Sequence, residues 1–575
     1  MDTSIDIYTE QIDDVPLLFG LLQKMGLQPI VDAIIKPHGN RQGLSVGWMI
    51  VVWLIHILTE KTHCMDVVRE WVPQLQETLE RLSGQEIEEL DFTDDRLADI
   101  LRYLSDDAAW HRLETQWSRH LIRVYDLRGN RVRLDGTSAS VYHDEKTHVL
   151  FRRGRSKDGQ WDVQFRVMLG SLDPLGMPLA VDVVAGNRAE DPLYVPNYRR
   201  IKDTVQRDGL LYIGDSKMSA LETRAVIAGG NDYYLTPLAM VGETPELLAS
   251  WLEPVWEGDQ DLTPIFLPED LPEDGQAPDP KLAIAEGFVI SRSQAATVDG
   301  EQIEWDERCL VIRSKAHAEA QIAAFQGRVD KAETALRALT PTPGRGKRQI
   351  RDETTLVTKV QAIVDKYRVD GLFDIDYERQ VSRRDVRAYG DKPARTEETV
   401  RYQITVGRRS AAIEQVERTL GWRVYVTNAP ADELTLTDAV LAYRDQYLVE
   451  RIFARLKGRR LSILPLYVQR DDHALGLIRL LTLAVRLMAL ADYSAQRALA
   501  DEGTELAGVY AGNPKRSTAR PTLERMLRVF QRITLTVVTL PERVVRHVTP
   551  LTAVQERILA LLGLSPTLYT SLATA

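Results

Sequence analysis

After Gly129 the apolar period of the chain changes, and that change limits what it can fold into. RVRLDGTSASVY alternates and is rich in β-branched residues, and WDVQFRVMLGSL and MPLAVDVVAG flank the turn sequence DPLG. These three segments predict a meander of strands. A helical stretch, DPLYVPNYRRIKDTV, comes next, and LLYIG then forms an apolar strand ending at Asp215. SALETRAVIAGG reads as a helix closed by glycines, and DYYLTPL as one more strand. The order βββαβαβ calls for a mixed sheet flanked by helices.

That order is the one expected of a ribonuclease-H-like core, so the fold class is mixed α/β. The flanks divide the rest of the chain. Residues 1–127 read as a helical N-terminal domain: VPLLFGLLQKMG ends on glycine, LSVGWMIVVWLIHIL is apolar nearly all round, and DFTDDRLADILRYL opens on capping residues. Residues 128–255 make the first part of the core. An acidic, proline-rich linker then leads into an inserted α+β domain at 281–427, and the two together span 256–427. LTLTDAVLAYRDQYLVERIFARLKG reads as one long helix, opened by a capping arrangement of Thr435 and Asp438, which completes the core within 428–490. Residues 491–575 read as mostly helical.

The candidate chemistry lies in three acids. Asp135 sits mid-way along the first strand and Asp215 ends the strand after the first helix, and in the expected sheet those strands are neighbours. The third is Glu450, which has six Arg or Lys around it between Tyr443 and Arg460. Tyr443, Tyr447, Glu450, Ala454 and Lys457 recur at spacings of four, three, four and three, the repeat of one helical face. Three converging carboxylates suit magnesium or manganese. Two such ions about 3.5–4 Å apart activate an attacking oxygen and stabilise a leaving one. Each acid also has an ordinary explanation: Asp215 as a helix cap, Asp135 as a turn acid, Glu450 with Lys457 as solvated helix charges. Their coincidence with the element order favours the catalytic reading.

With these residues in hand, LDGTSAS, YIGDSKMSA and YRDQYLVERIFARLK resemble the bacterial insertion-sequence transposases of the DDE type, above all the group with a YREK signature. Tyr443, Glu450 and Lys457 fit the signature's spacing, and Gln446 stands at its Arg position. The resemblance covers residues 131–460, and the helical N-terminus and the tail from LTLTVVTLPERVV to LLGLSPTLY are similar to a subgroup. It implies metal ligands at Asp135, Asp215 and Glu450, support from Tyr443 and Lys457, and two Mg2+ or Mn2+ ions. It implies DNA contacts from Arg444, Arg451, Arg455, Arg459 and Arg460, with Lys515 and Arg516 in the basic end. The expected substrates are terminal inverted repeats and target DNA, cut by water and joined by the freed 3′-hydroxyl, with a homodimer pairing the two ends.

Charge and composition bound these expectations. The chain carries −11 overall, yet from Arg451 to the end there are 18 Lys and Arg against 9 Asp and Glu, a local surplus of +9 suited to a polyanion. Two cysteines, Cys64 and Cys309, build neither a disulfide framework nor a four-thiolate zinc site, and a reducing cytoplasm is the expected compartment. LIRLLTLAVRLMALA is interrupted by Arg479 and Arg486 and is expected to be a buried helix, with no membrane partner. His143, His148 and His473 lack zinc-ligand spacing, Ser138 and Ser140 have no local base, and PGRGKRQIR is an exposed basic loop that makes no Walker loop. Two other readings stand beside the transposase: a nuclease of the same fold with another role, and a DNA-binding regulator without catalysis.

Overall fold

The alternation after Gly129 forms part of a ten-stranded sheet in the computed structural model, which describes residues 5–39, 41–156, 159–272, 276–344, 346–391 and 393–574. Strand β1 (Asp6–Gln11) precedes seven helices: α1 (Val15–Lys24), α2 (Leu27–Ile34), α3 (Val46–Glu60), α4 (Met65–Trp71), α5 (Gln76–Ser83), α6 (Asp94–Ser105) and α7 (Asp107–Val124). The meander follows as β2 (Arg131–Ser140), a short β3 (Arg152–Arg155), β4 (Trp161–Leu172) and β5 (Met177–Ala185). Then come α8 (Tyr194–Val205), β6 (Leu211–Gly214), α9 (Leu221–Gly229) and β7 (Tyr233–Pro237), in the order read from the sequence. The class is mixed α/β.

Beyond β7 the chain departs from the expected division. After α10 (Thr244–Glu257), the strands β8 (Thr263–Ile265), β9 (Ala285–Val298) and β10 (Glu301–Ser314) do not make a separate sheet. With β13 (Trp422–Thr427) they continue the main one, in the order β3, β4, β2, β6, β7, β13, β10, β9, β8, and β5 lies on the outer side of β4. Only the segment between β10 and β13 stands apart. There α11 (Lys315–Arg337), α12 (Glu353–Tyr367), the two-stranded ribbon of β11 (Phe373–Val386) and β12 (Arg395–Arg408), and α13 (Ser410–Thr419) enclose their own core around Phe325, Val329, Leu336 and Phe373. The physical reason is the apolar content of CLVI in β10 and VYV in β13: both stretches are buried and must be covered on two faces. Residues 273–275 of the linker and Arg345 of the basic loop lie outside the described residues.

The expected single helix is two, α14 (Leu436–Arg444) and α15 (Tyr447–Lys457). Thr435 caps the first by accepting from the Asp438 amide at 3.1 Å, as its sequence predicts. At the junction the amides of Gln446, Leu448 and Val449 bond three residues back, to Tyr443, Asp445 and Gln446. This is the tighter turn of a 3₁₀ segment, and it falls where Asp445 competes poorly as a helix former. Tyr443 and Glu450 therefore do not share one continuous helical face.

The next helix, α16 (Asp471–Glu502), runs through the boundary placed at residue 490 and is the column on which the molecule is assembled. It is long and apolar enough to cross a bilayer, but 94% of its most apolar window is buried inside the protein. Arg479 donates to the carbonyls of Leu104 (2.9 Å) and Ser105 (3.0 Å), and Arg486 to that of Pro178 (2.8 Å) and to Glu114. Its Gly476 meets α6 so closely that a Cβ there would overlap the Leu101 carbonyl oxygen. The tail is less helical than its sequence suggests. It contains β14 (Leu506–Ala507), β15 (Ser517–Thr518), α17 (Leu523–Leu527), and a hairpin of β16 (Thr534–Leu540) and β17 (Arg543–Val548), before α18 (Ala553–Leu561) and α19 (Thr567–Thr570).

The hairpin strand β16 pairs antiparallel with β1, so the two ends of the chain close on each other. The N-terminal helices, the sheet and α16 share one continuous core. Within this core His56 of α3 is fully buried, edge-on to Trp71 with 5.2 Å between ring centres, and neither ring nitrogen has a hydrogen-bond partner among the described residues. Burial pushes its pKa down to about 4. An unfolded histidine titrates near 6.5, so between these values the unfolded chain takes up a proton that the folded chain refuses. The stability tied to His56 is complete above pH 6.5 and is lost as pH falls toward 4. Between pH 7 and pH 5 denaturant unfolding is expected to show the wild type losing about 2 kcal/mol more than His56→Leu, at about 1.4 kcal/mol per pH unit.

Candidate metal centre

Strands β2 and β6 are parallel neighbours with Leu134 opposite Gly214, so the residues that follow, Asp135 and Asp215, emerge side by side. Strand β4 is antiparallel to both β2 and β5, so β5 runs in the direction of β2 and β6. The loop after β5 therefore returns to the same edge of the sheet. It brings Glu190 there, at the start of the 3₁₀ turn Asp191–Leu193 that leads into α8. One carboxylate oxygen from each of Asp135, Glu190 and Asp215 lies within 4.8 Å of the others.

The surroundings hold these groups in place. Tyr194, one turn beyond Glu190, donates to Asp215 Oδ1 at 2.6 Å, and the Lys217 amide reaches the same oxygen at 3.0 Å. Burial, and then the Asp215 charge, push the Tyr194 phenol well above its ordinary pKa, so it stays a donor. The Gly136 amide donates to Asp135 Oδ1 at 2.8 Å. Glu190 Oε2 lies 3.2 Å from Lys217 Nζ and 3.5 Å from Arg166 Nη1. Asp135 and Glu190 are each 5% exposed. A small set of hard oxygen donors in a mostly buried position is the donor chemistry that magnesium and manganese take and that softer thiolate metals do not.

Of the predicted acids, the structure brings together Asp135 and Asp215. Glu450 is not within the 4.8 Å group; it is exposed, in the first turn of α15, and Glu190 occupies the third position. The helix nevertheless runs along the cluster's rim. Lys457 Nζ donates to Thr137 Oγ1 and to the Ser138 carbonyl, both at 2.8 Å, two and three residues beyond Asp135 on β2. Glu450, seven residues earlier, lies on the same face of α15 as Lys457, about 10 Å along its axis. On the other side of the helix break, the Tyr443 phenol is pushed up by burial and by Tyr425, with Asp215 and Asp135 adding to it. Gln446 falls in the break itself, its Oε1 buried with no partner among the described residues.

Sequence reasoning missed Glu190 because it falls between the strand MPLAVDVVAG and the helical stretch DPLYVPNYRRIKDTV, with no pattern of its own. The signal that could find it is topological: an acid in the loop after a strand parallel to the two strands that carry Asp135 and Asp215.

The basic residues around Glu450 divide by what they touch. Arg444, Arg451, Arg459 and Lys515 are exposed, and Arg516 lies over the Tyr510 ring at 4.2 Å. On the side of α15 away from β2, two clefts of about 400 and 530 Å³ are lined by Arg451 and Arg455, joined by Arg520 in one and by Lys61, Arg459, Arg460 and Arg528 in the other. Arg455 and Arg460 depart from the expected DNA contacts. Arg455 is engaged by Asp492 and by Glu524 at 3.1 Å, and Arg460 donates to the Leu58 carbonyl. Arg455 turns toward α16 and α17, and Arg460, past the end of α15, toward α3, where a guanidinium is retained only with partners. Arg455→Ala leaves Asp492, 8% exposed, without its cation, and is expected to lower the unfolding free energy by about 3–5 kcal/mol in denaturant titrations.

Residues 7–111 match the family model described as a domain of unknown function, DUF4277. No curated protein matches the chain. Among solved structures, a cryo-EM structure of a piggyBac transposase synaptic complex with hairpin DNA aligns over 85% of this chain and 76% of that one, at 8% identity and a TM-score of 0.33, a superposition too loose to assign a fold.

Proposed function

We propose that the protein is a metal-dependent DNA strand-cleaving and strand-joining enzyme, a DDE-type transposase on a ribonuclease-H-like core. The observation that carries this reading is the emergence of Asp135 and Asp215 from adjacent parallel strands into one mostly buried cluster with a further carboxylate. The rim position of α15, with Lys457 seated on β2, supports Glu450 as the acid that completes the reacting centre. The resemblance of LDGTSAS, YIGDSKMSA and YRDQYLVERIFARLK to the YREK group supports the same roles.

In this reading Asp135, Asp215 and Glu450 hold two Mg2+ or Mn2+ ions. The bound ions supply activation of the attacking oxygen, first water and then a 3′-hydroxyl, and stabilise charge on the leaving oxygen. Tyr194 fixes the rotamer of Asp215, and Lys457 keeps α15 against β2. Arg444, Arg451 and Arg459 meet the phosphates of the strand, which makes binding salt-dependent. Terminal inverted repeats are the substrates, target DNA receives the cut end, and two copies of the chain pair the ends. The N-terminal helices and the basic end are the regions left to read sequence and to position the duplex, since the metal centre accepts any phosphodiester. The cytoplasm is its place of action.

Duplexes carrying inverted repeats from either side of the reading frame, incubated with the protein and Mg2+ or Mn2+, are expected to be nicked at the repeat ends and joined to a second duplex. Asp135→Asn and Asp215→Asn should abolish cleavage at unchanged duplex affinity. Full cleavage by Asp135→Ala would overturn the assignment, and cleavage without joining would point to a nuclease of another role. Arg459→Ala is expected to retain the site and reduce the slope of log K against log salt by about one unit. An unchanged slope would place Arg459 off the DNA path.

A further inference from the structure

We infer that Glu190 is a resident ligand of this centre, so that Asp135, Asp215 and Glu190 hold one cation before DNA or Glu450 takes part. The inference rests on the metal-dependent reading above and assigns a division of labour within it.

The first support is an orphaned atom. Glu190 is 5% exposed, and its Oε1 is buried without a hydrogen-bond partner among the described residues, while Oε2 faces Lys217 and Arg166. A buried carboxylate oxygen left bare costs free energy that an ion pair made through the other oxygen does not recover. Here the bare oxygen belongs to the carboxyl that clusters with Asp135 and Asp215, and a cation is the partner of matching charge.

The second support is the space made for it. A Cβ on Gly136, the residue after Asp135, would overlap Glu190 Oε1, so the carboxylate lies where only glycine on β2 admits it. The third is shared positioning. Glu190 and Tyr194 belong to one turn leading into α8, and Tyr194 engages Oδ1 of Asp215. Asp215 Oδ2 accepts no hydrogen bond among the described residues, so Asp215 and Glu190 each keep one oxygen open to a ligand. Glu450, exposed on α15, is left for the second ion, on the side where a phosphate approaches.

Mn2+ binding to the full-length protein without DNA, followed by electron paramagnetic resonance of the free ion, tests this. The wild type is expected to bind one tight equivalent. Glu450→Gln should keep that equivalent with its affinity within about twofold, and Glu190→Gln should weaken it at least tenfold. Gly136→Ala, which displaces Glu190 without removing a charge, should weaken it as well. Melting curves in EDTA identify any variant that fails to fold, and Glu190→Asp then serves in place of Glu190→Gln with the same expected direction. Wild-type affinity in both Glu190→Gln and Gly136→Ala, with loss in Glu450→Gln, would overturn the inference while leaving the metal-dependent reading intact. A wild-type protein that binds no Mn2+, with cleavage unaffected by Asp135→Asn, would overturn both.

Discussion

Three carboxylates within 4.8 Å of one another repel, and the structure around them is organised to keep them together. Parallel pairing of β2 with β6 sets Asp135 beside Asp215 and leaves neither backbone free to relax away. The loop after β5 delivers Glu190 from a third strand of the same direction, so three separate stretches of chain must be in place at once. Around the acids stand Lys217, Arg166 and the Tyr194 phenol, each touching one carboxylate from the side. They reduce the repulsion among the acids. A cation would complete the charge balance, in the way that local charge sets the behaviour of carboxylate pairs generally.

The sheet edge that bears the acids is held by a second polar network, deep in the core. Glu114 of α7, 2% exposed, accepts from the Val181 amide of β5 at 3.1 Å and is engaged by Arg200 of α8 and Arg486 of α16. One buried carboxylate thus ties together a strand and three helices, among them α8, whose first turn carries Tyr194. Such a group is stabilising only when all its partners are present. This arrangement makes the N-terminal helices part of the scaffold of the centre. Pairing of β1 with β16 extends the same logic, because it clamps the two ends of the chain onto that scaffold.

The split between α14 and α15 matters for the same reason. A continuous helix would carry Tyr443, Glu450 and Lys457 in one line; the tight turn at Asp445 and Gln446 re-aims α15 so that Lys457 reaches β2 and Val449, Ile452, Phe453 and Leu456 are buried. The basic residues are thereby sorted. Arg455 and Arg460 are spent on internal partners, whereas Arg444, Arg451 and Arg459 stay at the surface, where contact with phosphate costs little desolvation.

By itself the sequence determined the local structure and the two acids on β2 and after β6. Alternation after Gly129, the turn at DPLG, the cap at Thr435 and the apolar run of α16 are local signals, set by residues a few positions apart, and each element appears where its pattern lies. Asp135 and Asp215 were legible because parallel strands in that element order have one arrangement that makes them neighbours. Tertiary structure alone decided that β9, β10 and β13 extend the main sheet, that the tail returns as a hairpin to β1, and that Arg455 points inward. It alone decided that Glu190, far from Asp135 in the chain, enters the cluster. Those outcomes depend on which surfaces are covered and which charges find partners across the fold, and no short window of sequence carries that information.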